Sequence, residues 1–222
     1  MADIDHLPLR RDLIATALRM NHTGINQGTS GNLSVRIPGG FLITPTSIPY
    51  DELEPDDIVA MDFDGGHAGR RRPSSEWRFH RDILKARSDI DVVLHNHSTF
   101  ATALSCHRLD IPAFHYMVAV AGGKAIRCAD YATFGTEELS RNALGALEDR
   151  LACLLGHHGV IVLGRSFKQA LALAVEVESL ARQYVHVRML GEPEILSDDE
   201  MDRVMERMRG MGYGGASGPA RG

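Results

Sequence analysis

Apolar residues Leu9, Leu13, Ala17 and Met20 recur at helical spacing, which predicts a first helix over residues 9–21. Gly24 and the glycines of 28–31 end that period. Residues 33–37 then read as a strand, and Pro38-Gly39-Gly40 turns the chain into a second strand over 41–44, so the pair forms a hairpin. A third strand is expected over 58–61. The polar segment 64–73 reads as a solvated loop. Its Arg70-Arg71-Arg72 triplet invites a ligand, but the Asp and Gly around it favour a surface turn.

Ser75 stands as the N-cap of a helix over 76–87, with Trp77, Phe79, Ile83 and Leu84 available for packing. Residues 92–96 make a strand with an apolar start, and 100–105 begin another helix. Thr136 caps a helix running to about Leu147, with Glu137 and Glu138 in its first turn. Residues 152–155 and 159–163 pair as strands around a Gly-His-His-Gly turn. A long helix over 166–190 and a last one over 198–209 follow, and the Gly-rich tail from Gly210 reads as mobile. Several strands are joined by turns too short for a helical crossover. The sheet is therefore expected to be largely antiparallel or mixed, covered by helices, in a single α/β domain over 1–222.

Composition narrows the partners. With 44% hydrophobic and 24% charged residues, the chain has enough apolar surface for a sizeable core. Its 29 acidic and 24 basic residues leave a net charge of -5, which gives no electrostatic case for nucleic acid or an anionic membrane. Cys106, Cys128 and Cys153 are too widely spaced for a Cys-x-x-Cys site and odd in number, which points to a reducing cytoplasm. No apolar run approaches a membrane span, and the N-terminus lacks a signal-peptide layout. Eleven histidines, several of them clustered, mark where chemistry should be sought.

Residues two apart on a strand share a face, roughly 6.6 Å apart. His95 and His97 can therefore converge on one metal ion; a solvated polar pair is the bland alternative. The His157-His158 doublet between glycines can present an imidazole into a cleft, though alone it reads as an exposed turn. Glu76, in Pro73-Ser74-Ser75-Glu76, supplies a carboxylate at a helix start, where alone it is simply capping sequence. Taken together, three imidazoles and one carboxylate complete the shell of a divalent transition metal, zinc above others. Gly28-Thr29-Ser30-Gly31-Asn32 precedes a strand and lacks the P-loop lysine, so it is no P-loop. It can still form an anion cup, as can Thr44-Pro45-Thr46-Ser47 and Ser74-Ser75.

These segments, in this order, resemble the class II aldolase/adducin family. The likeness continues through Pro112-Ala113-Phe114-His115-Tyr116-Met117, Tyr131-Ala132-Thr133-Phe134-Gly135-Thr136 and His157-His158-Gly159, and runs from about Leu9 to Met208. It implies a three-layer α/β/α fold, usually assembled as a homotetramer with active sites between subunits. It implies one Zn(2+) per subunit on Glu76, His95, His97 and His158, with His157 at a position where many relatives carry Asn. Substrate phosphate would rest on Thr29, Gly31, Asn32, Thr46, Ser47, Ser74 and Ser75.

The implied reaction cleaves a ketose 1-phosphate of the L-fuculose 1-phosphate type to dihydroxyacetone phosphate and L-lactaldehyde. In it Glu76 shuttles the proton at the dihydroxyacetone phosphate carbon, and in the reverse aldol addition Tyr116 of a neighbouring subunit protonates the aldehyde oxygen. Another sugar-phosphate aldolase, epimerase or dehydratase of the same superfamily is the alternative. The epimerase relatives resemble Pro-Ser-Ser-Asp where this chain has Glu76, and the non-catalytic adducin-like modules lack the histidines. Two departures stand out. Ser47 replaces the usual Gly, which costs roughly 1–2 kcal/mol if the backbone there is left-handed. Met208 and Tyr213 match the family's C-terminal aromatic residues poorly.

Overall fold

A computed structural model of the protein describes residues 5–211. Its centre is an eight-stranded sheet in the order β4-β3-β2-β1-β5-β8-β7-β6. The strands are β1 (Asn32–Ile37), β2 (Gly40–Ile43), β3 (Val59–Asp62), β4 (His67–Ala68), β5 (Val92–Asn96), β6 (Cys128–Ala129), β7 (Ala152–Leu155) and β8 (Gly159–Gly164). Every pairing is antiparallel except that of β6 with β7. The short turns legible in the sequence account for the β1–β2 and β7–β8 pairings, since a two- or three-residue connection can only reverse a strand.

Alternation along the strands splits the core between two faces. Leu33, Val35, Leu42, Val92, Leu94, Val160 and Val162 face α1 (Leu7–His22), α3 (Thr99–Cys106) and α5 (Phe167–Leu190). On that side α6 (Asp198–Gly210) adds Met201 and Met208. Phe41, Ile43, Val93, Ile161 and Leu163 face α2 (Trp77–Ala86) and α4 (Glu137–Ala146). The result is a three-layer α/β/α sandwich. Val93 and His95 share a face, so β5 turns the His95 imidazole toward α2.

The hairpin, the third strand and the Gly-His-His-Gly strand pair stand as expected. Thr136 does cap α4, its hydroxyl accepting from the N–H of Leu139 at 3.2 Å. Ser75, by contrast, is not the cap of α2. Glu76 occupies that place, and its N–H reaches the hydroxyl of Ser74 at 3.3 Å. The segment 64–73 is only partly loop. It holds edge strand β4, and Arg70 and Arg71 bind the buried carboxylate of Asp57 at 2.9 and 2.7 Å. Those guanidiniums hold the Asp57 carboxyl below its ordinary range against the opposing effect of burial. Gly210 closes α6 instead of opening a tail, and positions past 211, Tyr213 among them, lie outside the described residues. The 3-10 turn Tyr116–Ala121 and the two-residue β6 carry no periodic signal of their own.

Candidate active site

His95 is the penultimate residue of β5 and faces the α2 side, and the chain leaves the sheet at His97. Their Nε2 atoms lie 3.0 Å apart. His158 comes from the β7–β8 turn, its ring 4.8 Å from that of His95 and 5.0 Å from that of His97. One nitrogen from each of the three falls within 4.8 Å of the others. Gly159 makes this possible, because a Cβ there would stand 2.7 Å from the His97 ring and 3.3 Å from His95. Glu76 is 6% exposed, with Oε2 placed 3.2 Å from His95 Nε2 and Oε1 3.2 Å from His158 Nε2. The four expected ligands thus meet at one point.

Their protonation fits a cation. Nδ1 of His95 lies 2.9 Å from the carbonyl oxygen of Val160 and must donate to it. Burial pushes the His95 pKa down to about 3, outweighing the attraction of Glu76, so the ring is neutral and Nε2 is a bare lone pair. Burial also lowers His97. For Glu76, burial opposes ionisation, yet its carboxyl stays below the ordinary range, with the Asn32 amide donating to Oε2. A lone pair therefore faces both a second imidazole and an anion at about 3 Å, and Oε1 is buried without a hydrogen-bond donor. Such a set repels itself unless a cation compensates it. Three imidazoles with a carboxylate suit zinc and similar divalent ions.

The hydroxyl clusters lie beside this centre. Thr44 and Leu33 bond across β1 and β2, Thr46 N–H donates to the Arg72 carbonyl, and Ser74 N–H to the Thr44 carbonyl. These bonds bring the loops bearing Thr46–Ser47 and Ser74–Ser75 to one end of the β1–β2 hairpin, where the loop bearing Thr29 enters β1 at Asn32. Thr29, Thr46, Ser47 and Ser75 are exposed there, while Gly31, Asn32 and Ser74 are buried. Gly31 has to be glycine, since a Cβ would meet the His95 carbonyl oxygen at 2.7 Å. Ser47 does adopt the left-handed backbone, with φ 60°, and its hydroxyl lies 3.3 Å from that of Thr46.

The structure places four further residues. The amide of Asn32 is engaged within the chain, donating to Glu76 Oε2 at 2.9 Å and facing His80 Nε2 at 2.5 Å. His80 itself is wholly buried and also touches the Ser34 hydroxyl at 2.7 Å. It follows Glu76 by four residues on α2, and that spacing was the available signal. His157 does not join the imidazole cluster, with φ 55° and its ring edge-on to Tyr131 at 5.9 Å. Tyr116 does not join the cluster. It stands half exposed on a 3-10 turn packed against α5 and α6, the layer opposite α2.

Residues 11–185 match the family profile of the class II aldolase and adducin N-terminal domain. The chain is 54% identical over 206 residues to a 5-methylthioribulose-1-phosphate/5-deoxyribulose-1-phosphate aldolase of Rhodospirillum rubrum, covering 93% of each. It is 48% identical over 205 residues to an L-fuculose phosphate aldolase of Escherichia coli, covering 92% of this chain and 95% of that one. A solved L-fuculose 1-phosphate aldolase superposes with TM-score 0.88 at 41% identity, over 90% of this chain and 96% of that chain.

Proposed function

The chain belongs to the class II aldolase and adducin family, and on that premise we propose that it is a metal-dependent aldolase cleaving a ketose 1-phosphate to dihydroxyacetone phosphate and a short aldehyde. One observation carries the reading: three imidazoles and Glu76 converge beside three hydroxyl-bearing loops. His95, His97, His158 and Glu76 would hold the ion, one per subunit, with zinc the expected metal. When bound, the ion supplies Lewis acidity at the ketose carbonyl and hydroxyl oxygens. Thr29, Gly31, Asn32, Thr46, Ser47, Ser74 and Ser75 would anchor the phosphate, so that remote binding energy orients the reacting carbons.

Cleavage breaks the bond between C3 and C4. The C4 hydroxyl loses its proton as the aldehyde forms, and the bonding pair passes to the dihydroxyacetone phosphate half as an enediolate. Glu76, a carboxylate at rest, would first take up a proton from solvent and then pass it to C3, balancing the proton released from the C4 hydroxyl. Tyr116 of an adjacent subunit in a homotetramer would accept the proton from the C4 hydroxyl. Its half-exposed place away from its own cluster accords with that role. The three cysteines are unpaired, which suits a cytoplasmic enzyme.

L-fuculose 1-phosphate and the 5-deoxypentulose 1-phosphates share the phosphate end and differ in the aldehyde. The first releases L-lactaldehyde, the second acetaldehyde or its methylthio derivative. The sheet order favours the second class. The hydroxyl cup adjoins β1 and β2, and the imidazoles come from the end of β5 and the β7–β8 turn, so the departing aldehyde would lie toward β7 and β6. There the rings of Tyr131 and His157 form the rim, and aromatic faces favour a methyl or thioether end over a hydroxylated one. The test is aldol addition of dihydroxyacetone phosphate to a panel of short aldehydes by the zinc-loaded enzyme. Acetaldehyde and methylthioacetaldehyde should exceed L-lactaldehyde in kcat/KM by about tenfold. Absence of product with every aldehyde would overturn the aldolase reading, and a preference for L-lactaldehyde would restore L-fuculose 1-phosphate.

A further inference from the structure

We propose that His80 is a positioning residue for the Glu76 carboxylate, acting through the amide of Asn32. The inference rests on the reading of Glu76 as proton carrier. Each atom in the connection has one permitted role. Asn32 lies against Glu76 Oε2 at 2.9 Å, and only its NH2 can face a carboxylate favourably. Its Oδ1 therefore faces His80 and can only accept, so His80 Nε2 carries a proton and donates at 2.5 Å. Burial keeps the ring neutral, with the pKa pushed down to about 3. Nδ1 is then an acceptor, and the Ser34 hydroxyl must donate to it at 2.7 Å.

Three hydrogen bonds thus run one way, from Ser34 to His80, from His80 to Asn32 and from Asn32 to Glu76. Every donor points toward the carboxylate, and bonds aligned in this sense reinforce one another. The consequence is positional. Oε2 is fastened from the β1 side, which leaves Oε1 turned inward without a donor. His80 is itself fixed by stacking on Phe79, ring centroids 4.6 Å apart. With His80 removed, nothing prevents the Asn32 amide from rotating, and Glu76 loses its one side-chain donor from the sheet.

The experiment measures solvent exchange of the C3 proton of dihydroxyacetone phosphate in D2O, at saturating ligand and without aldehyde. Zinc-loaded wild type is compared with His80→Phe, His80→Gln and Ser34→Ala. In His80→Phe the saturated exchange rate should fall about 10–100-fold, while zinc stoichiometry and the half-saturating ligand concentration stay within about twofold. Gln can still donate to Asn32 Oδ1, so His80→Gln should recover most of the rate. A full rate in His80→Phe, or an equal loss in both His80 variants, would overturn the proposal.

Should His80→Phe fail to fold, Ser34→Ala carries the test. It should slow exchange about threefold or more, since the imidazole then lacks the donor at Nδ1, and an unchanged rate would overturn the proposal. Independently of turnover, nitrogen NMR of the metal-free protein should show His80 as the neutral Nε2–H tautomer; an Nδ1–H tautomer would contradict it. No exchange in the wild type itself would count against Glu76 as proton carrier, which separates that failure from failure of the His80 inference.

Discussion

His95, Glu76 and Asn32 stand on or at the ends of regular elements, whereas Thr29, Thr46, Ser47 and Ser75 stand on exposed loops a short distance away. The first group is buried and fixed twice over. His95 is tied by the Val160 carbonyl, Glu76 by Asn32, and the neighbouring ring positions by the absence of a side chain at Gly159. The second group is held mainly by backbone bonds between loops, leaving the exposed hydroxyls open to solvent. A metal needs ligand atoms fixed to fractions of an ångström, while a phosphate tolerates several arrangements of many weak donors. Substitutions in the first region should accordingly remove function outright, and those in the second should adjust it.

The largest expected effect is on the ligand doublet. His158→Ala should weaken zinc binding by more than about a hundredfold, while His157→Ala should retain one zinc per chain, because the His157 ring faces Tyr131 instead. Dialysis against a zinc buffer followed by metal analysis reads both. Stoichiometric zinc in His158→Ala, or its loss in His157→Ala, would break the contrast within two adjacent residues.

Ser47 gives the smaller effect, on the loop side of the comparison. Its left-handed backbone is costly for Ser and natural for Gly. Ser47→Gly should stabilise the chain by about 0.5–1 kcal/mol, a rise in Tm of about 1–3 °C. Loss of the hydroxyl should raise KM for the ketose phosphate about two- to fivefold with kcat unchanged. Calorimetry and steady-state kinetics check the two halves. An enzyme unaltered in both would show that this loop carries neither strain nor phosphate contact.

The convergence of His95 and His97 was legible from the two-residue strand period, although β5 ends at Asn96 and His97 lies just beyond it. The layered arrangement was equally legible, since alternating apolar positions and short turns leave few ways to build the sheet. The choice of His158 over His157 came only from resemblance, and the structure supplies its physical reason: a left-handed His157 directs its ring out of the cleft. Asn32 and His80 could not be connected from spacing, because their contact spans β1 and α2. The same holds for Tyr116, whose 3-10 turn has no amphipathic period and whose expected target lies on another subunit.

The most direct measurement is zinc titration of the metal-free chain, with carbon–carbon cleavage followed at each point. Activity should rise linearly and break at one zinc per chain, vanish on chelation and return with zinc. Glu76→Gln should leave the break at one equivalent with cleavage reduced at least a hundredfold. Cleavage that persists in the chelated protein, or a break at a stoichiometry other than one, would contradict a single ion held by His95, His97, His158 and Glu76 at the heart of the reaction.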